Sequence, residues 1–314
     1  MRGRFWGVRG SHPTPMTPDA VRSKIASVIQ RVRPQDLENS LSRESFLAAL
    51  PRWLFGSTGG NTPCIEVRLS DGTFLIFDTG SGIRELSAQL SHQLTVPDKF
   101  HIFYSHFHYD HVQGLPFFAP AYNPRSTIRF YSPVPELRTY LNSHMRHPYF
   151  PVTMEERMSK SIEYHTLTGS SMNFGSAQIT WRLLNHPGGS YAYRIDEDGR
   201  SLVIATDTEL LESDFEKNPA NISFFRGVDL LILDTQYTLG EAIEKFNWGH
   251  SSFSLGVDFA TVWEIKQLYL FHHEPLYDDK KLHKNLQSAR WYAHRLGNTM
   301  LQIHLSEEGM EFSV

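Results

Sequence analysis

Along most of the chain, apolar residues alternate with polar ones or gather in short blocks between turn-forming residues. Ile65–Leu69 and Thr73–Phe77 flank Ser70-Asp71-Gly72, which predicts a β-hairpin. Further strands are expected at Phe100–Tyr104, Ile128–Tyr131, Gln178–Leu184, Tyr191–Ile195, Leu202–Ala205, Leu230–Leu233 and Gln267–Phe271, and an opening strand within Met1–Gly10. Helical spacing marks Ile83–Leu90, Leu255–Glu264 and Asp278–Leu296. Strands and helices interleaved with hairpins argue for an α/β architecture, two sheets face to face with helices outside.

Two stretches depart from that alternation. Between residues 16 and 53, Val21, Ile25, Val28, Ile29 and Val32 fall at helical spacing, Pro34 breaks the run, and Phe46, Leu47 and Leu50 suggest a second helix. This is a helical insertion near the N-terminus, a packing appendage, homodimer contact or substrate gate. Residues 142–164 have poor periodicity and hold His144, His147, Tyr149 and Phe150, as a lid or substrate arm would. The rest belongs to one domain spanning 1–314.

The 314 residues suffice for a substantial core, and 40% hydrophobic with 20% charged residues is the balance of a globular protein. A net charge of −4 without long like-charge runs makes a partner such as extended nucleic acid unexpected. No apolar stretch reaches the ~20 residues of a membrane helix, and the first ten residues lack the apolar core of a signal peptide. The single cysteine, Cys64, cannot form an intramolecular disulfide, so a cytoplasmic setting is expected.

The sixteen histidines change the picture, because they cluster. His106-Phe107-His108-Tyr109-Asp110-His111 places four metal-capable side chains in six residues after a buried strand. Extended alternation sends His106 and His108 to one side, and a turn can bring Asp110 and His111 to a nearby point. Imidazole and carboxylate together suit zinc, manganese or iron. His186, Asp207 and the pair His272-His273 each follow an apolar strand, where the rim of a sheet would collect them.

The order HxHxDH, His, Asp, His resembles the metallo-β-lactamase superfamily. So do Phe5–Ser11, Gly59-Gly60-Asn61-Thr62 and Phe77–Gly82. The resemblance implies a four-layer αββα sandwich and two divalent metal ions, zinc first among them. His106, His108 and His186 would hold one, and Asp110, His111 and His272 the other, with Asp207 bridging. His272 is preferred to His273 because similar sequences place the ligand directly after the strand. Asp78 would brace the metal loop or cap a turn. Leu233-Asp234-Thr235 followed by Gly249-His250-Ser251 resembles the phosphodiesterase branch, which includes ribonuclease Z and class II cyclic nucleotide phosphodiesterases.

In that branch His250 would protonate the leaving oxygen and Asp234 would orient it; otherwise His250 caps the helix beginning near Phe253. Asp110 would help orient a hydroxide shared by the metals. Asn61, His273, Ser251 and Tyr149 are candidates for substrate contact. Ribonuclease Z carries a long arm between the third histidine and the bridging aspartate. Here twenty residues separate His186 from Asp207. The expected substrate is therefore a small phosphodiester such as a 3′,5′-cyclic nucleotide. A ribonuclease Z-like nuclease and a thioesterase or lactonase are the alternatives.

Overall fold

The computed structural model describes residues 1–93 and 97–314. The first sheet contains β1 (Arg2–Gly7), β2 (Cys64–Arg68), β3 (Phe74–Phe77), β4 (Lys99–Phe103), β5 (Thr127–Ser132) and β6 (Ser161–Thr166). The second contains β7 (Ser171–Phe174), β8 (Ala177–Leu184), β9 (Ser190–Glu197), β10 (Arg200–Ala205), β11 (Leu230–Asp234), β12 (Gln267–Phe271) and β13 (Gln302–Leu305). The last strand, β14 (Glu311–Ser313), returns to pair with β1. Among the described residues each sheet has seven strands, ordered β14-β1-β2-β3-β4-β5-β6 and β13-β12-β11-β10-β9-β8-β7.

Apolar residues from the facing sides of both sheets fill the middle layer, including Phe5, Val67, Phe77, Phe103, Ile179, Tyr193, Ile204, Ile232 and Phe271. Aromatic pairs knit it: Phe103 stacks on Tyr131 at 4.6 Å and meets Tyr193 edge-on at 5.5 Å. The opposite faces carry helices. Ile83–Ser91 and Leu137–His144 cover the first sheet. Pro219–Phe225, Phe253–Val262 and Asp279–Arg295 cover the second. This is the expected four-layer αββα sandwich.

Strand direction positions the site. β3 and β4 run parallel, and so do β10, β11 and β12. β8 and β10 are both antiparallel to β9, so β8 ends at the same rim. The His186–Asp207 connection is the β9–β10 hairpin. The rims of the two sheets meet where Tyr191 N–H donates to the Ser105 carbonyl at 3.0 Å.

Within residues 16–53, Pro18–Ile29 begins at a Thr17 cap and Ser40–Ala49 at an Asn39 cap. Neither helix buries a residue, and Ile25 and Leu41 are 58% and 80% exposed. The spacing thus marked the helices correctly, but their apolar stripe does not pack on the core. In the 142–164 stretch, Met145, Met154 and Met158 are buried while Tyr149 stays exposed. Its last residues belong to β6, an edge strand whose polar composition hid it from pattern reading. No helix among the described residues is long and apolar enough to cross a membrane.

Candidate metal centre

β4 delivers the chain into the extended segment Tyr104–His108, and the short helix Tyr109–Val112 then turns it back. His106, His108 and His111 converge there: His106 lies 4.5 Å from His108 and 4.2 Å from His111 between ring centroids. The loops after β8, β10 and β12 add His186, Asp207 and His272. Among the described residues three adjoining groups of possible donors occur; one is Asp234, His250 and His272, and the other two share Asp207. Of these two, the first is His106, His108, His186 and Asp207, and the second is Asp110, His111, Asp207 and His272.

Asp207 belongs to both and divides its oxygens between them. Oδ2 faces His106 Nε2 at 3.6 Å and His186 Nε2 at 3.8 Å. Oδ1 faces His111 Nε2 at 3.1 Å and His272 Nε2 at 3.3 Å. Asp110 Oδ2 lies 3.3 Å from His111 Nε2 and 3.2 Å from His272 Nε2.

The outer nitrogens are occupied. His186 Nδ1–H donates to the Gly249 carbonyl at 2.8 Å, which leaves Nε2 as the lone-pair atom. His272 Nδ1 meets Gln236 Oε1 at 3.0 Å, and His111 Nδ1 meets Asp78 Oδ2 at 2.9 Å. Asp78 also accepts from Ser105 N–H at 2.9 Å and Ser105 Oγ at 2.8 Å, so it ties the histidine loop to the end of β3. Asp110 accepts from the backbone N–H of Ser11 at 2.8 Å, a contact from the far N-terminus.

These arrangements answer whether metal ions fit. The Nε2 atoms of His106 and His111 are buried without a hydrogen-bond partner, and His186 Nε2 faces His108 Nδ1 at 3.1 Å. Inward-facing lone pairs beside two buried carboxylates are stable around cations and costly without them. Three imidazoles with a carboxylate, and two imidazoles with two carboxylates, are donor sets for divalent transition metals. Burial alone would raise the Asp207 carboxyl, but His111, His272 and His106 outweigh it and hold the group well below the usual carboxylate range. Burial likewise pushes the His106 imidazole down, helped by the neighbouring His111, which favours the neutral, metal-binding form.

Beside the cluster, Asp234 Oδ2 meets His250 Nδ1 at 2.7 Å. Burial works against a charged His250, but the Asp234 carboxylate more than compensates and the imidazole is pushed up to about 9. Its ring stacks on His272 at 4.9 Å and sits 5.2 Å from His186. Gly249, at φ +87°, lets the chain pass against the His186 ring. Glu209 accepts from the N–H groups of Gly249 and Asn247 at 2.9 and 3.0 Å, fixing this loop. Ser252, not His250, caps the helix Phe253–Val262.

Other expected contacts need correction. His273 is buried with Nε2 donating to the Ser306 carbonyl at 2.9 Å, so it is a structural histidine rather than a substrate contact. Ser251 Oγ is committed inward, donating to Thr208 O at 2.6 Å and accepting from Leu210 N–H at 3.0 Å. Asn61 bonds Glu308 at 3.0 Å and Ser81 at 2.9 Å, bracing the N-terminal loops. Only Tyr149 of that group, 74% exposed, faces open space beside the cluster. Sequence reading missed Ser105, Glu209, Gln236 and the Ser11 amide; of these, Glu209 alone carries a signal, its place directly after Asp207-Thr208.

Residues 73–273, well over half of the chain, match the family model described as the β-lactamase superfamily domain. The chain belongs to that superfamily. With the donor set above, it is a metal-dependent hydrolase. A ribonuclease Z of Synechococcus sp. (strain CC9605) is 26% identical over 278 residues, covering 69% of this chain and 82% of that protein. Among solved structures, a diphosphatase of the PhnP family superposes with a TM-score of 0.63 at 18% identity, covering 100% of this chain and 97% of that one. The short form of human tRNase Z gives a TM-score of 0.61 at 18% identity, covering 100% and 99%. At such identities the structural likeness speaks for the fold.

Proposed function

We propose that this hydrolase is a phosphodiesterase acting on a small phosphodiester such as a 3′,5′-cyclic nucleotide. The observation that carries the reading is the Asp234–His250 pair, 2.7 Å apart at the edge of the metal cluster. A leaving alkoxide needs a proton, whereas a thiolate does not, so a thioesterase would have no use for this pair. The His-rich donors favour zinc, then manganese or iron.

Two divalent cations held by these donors would neutralise charge on the phosphodiester and make water a nucleophile at neutral pH. The chain's own residues do the rest. Asp207 and Asp110, ionised and fixed by their imidazole neighbours, hold and orient groups at the centre. Asp234 anchors His250 Nδ1, which leaves Nε2 to pass its proton to the departing oxygen.

The test is His250→Ala assayed on 3′,5′-cyclic AMP with metal content measured in parallel. Turnover should fall by roughly 10²–10⁴-fold with both metals retained. Loss of the metals, or absence of phosphodiester turnover in metal-loaded wild type, would refute the reading. The relatives named ribonuclease Z support a second reading, cleavage of RNA. The short β9–β10 hairpin and net charge of −4 weigh against a transfer-RNA grip. A precursor transfer RNA in the same assay decides between them.

A further inference from the structure

The metal cluster opens onto a cleft of about 890 Å³ that includes His106 and His108 among its lining residues. Two aromatic pairs line it: Phe107 against Tyr140, ring centroids 5.3 Å apart, and Phe117 against Phe150 at 6.0 Å. Tyr109 and Tyr149 line it as well, and both are largely exposed. Histidines aside, Glu136 and Arg146 are its only formally charged lining residues among the described residues. A polynucleotide would need a cation for each further phosphate, and Arg146 is alone. The cleft does suit a flat, uncharged π-surface, which stacks on such side chains with little regard to its edges. It reaches the cluster beside His106 and His108, whereas neither His250 nor His272 lines it.

Resting on the phosphodiesterase reading, we infer that this cleft holds one planar aromatic group carried by an ester substituent of the phosphorus, on the part of the substrate retained after cleavage. The departing oxygen then lies toward His250. A nucleobase and a simple aryl ester share this chemistry.

The experiment holds the leaving group constant. Metal-loaded protein is given thymidine 5′-(4-nitrophenyl) phosphate, phenyl 4-nitrophenyl phosphate and methyl 4-nitrophenyl phosphate. The aromatic esters should exceed the methyl ester in kcat/KM by about tenfold or more, mainly through KM. Tyr140→Ala should erase most of that preference and Tyr140→Phe should keep it. Equal gains for thymidine and phenyl would identify a general ring slot. A gain confined to thymidine would identify a nucleoside site. Equal rates for all three esters, or a preference that survives Tyr140→Ala combined with Phe150→Ala, would overturn the inference. If no ester is turned over, the phosphodiesterase reading fails. Calorimetric titration then judges the cleft by itself: phenyl phosphate should bind about tenfold tighter than methyl phosphate, and equal binding rejects the slot.

Discussion

Gly249→Ala is the sharpest perturbation of the centre, because it adds one methyl group and removes no ligand. The added Cβ would stand 2.9 Å from His186 Cε1 and nearer still to His186 Nδ1 and Pro187 Cδ. Carbon atoms in ordinary contact lie ~3.5–4.0 Å apart, so the imidazole must retreat by roughly an ångström. That movement breaks the 2.8 Å bond from His186 Nδ1 to the Gly249 carbonyl. The backbone at φ +87° adds its own penalty, about 1–3 kcal/mol for a side chain held in a left-handed conformation. Loss of an outer hydrogen bond to a ligating histidine typically weakens metal affinity 10–100-fold. Gly249→Ala should therefore weaken by at least tenfold the binding of an ion that His106, His108 and His186 would hold, and spare one that Asp110, His111 and His272 would hold. Chelator competition with metal content read by mass spectrometry checks this, alongside urea unfolding of the metal-free protein. A variant that keeps both ions at wild-type affinity would show that His186 does not depend on this close approach.

Asp78→Asn should weaken binding at the His111 side about 10–100-fold, since Asp78 fixes both His111 and Ser105; equal losses at both sites in the same titration would contradict it. Gly10→Ala should also act on that side, because its Cβ would lie 2.6 Å from the His272 ring; an unchanged second-site affinity would count against it. Chelation should lower the melting temperature, each site held at a hundred times its Kd contributing about 2.7 kcal/mol; identical melts by circular dichroism would mean that no metal was bound. Burial, with Arg129 and His165 nearby, holds His101 down to about 4 in the folded protein, against ~6.5 unfolded. The unfolded chain binds the extra proton, so this contribution is complete above about 6.5 and drains as pH falls toward 4. Urea midpoints of metal-free His101→Gln should fall less steeply over that range than those of wild type, and parallel curves would refute the assignment.

Much of the fold was legible because burial imposes periodicity. β8 alternates and β12 is a continuous apolar run, and both fall where the pattern places them. β6, β7, β13 and β14 were not legible, because strands at sheet edges bury one face poorly and carry polar residues. The clustering of His106, His108, Asp110 and His111 was legible because packing gives no reason for four such side chains together. His273 misled, since a histidine after a strand looks the same whether it faces the rim or, as here, the Ser306 carbonyl. The Ser11 amide on Asp110 could not be read at all: it is a backbone group, separated by 99 residues from its partner, and carries no side-chain signature.

Three site residues other than glycine, Asp78, Asp207 and His272, have φ between +53° and +60°. Such a backbone costs of order 1–3 kcal/mol at each position, and glycine would relieve it. Glycine would, however, also remove a buried donor or brace, such as the Asp78 carboxylate that holds His111 and Ser105, so relief of strain and binding of the ions pull in opposite directions. The strain sits at the three points where the chain turns these side chains inward.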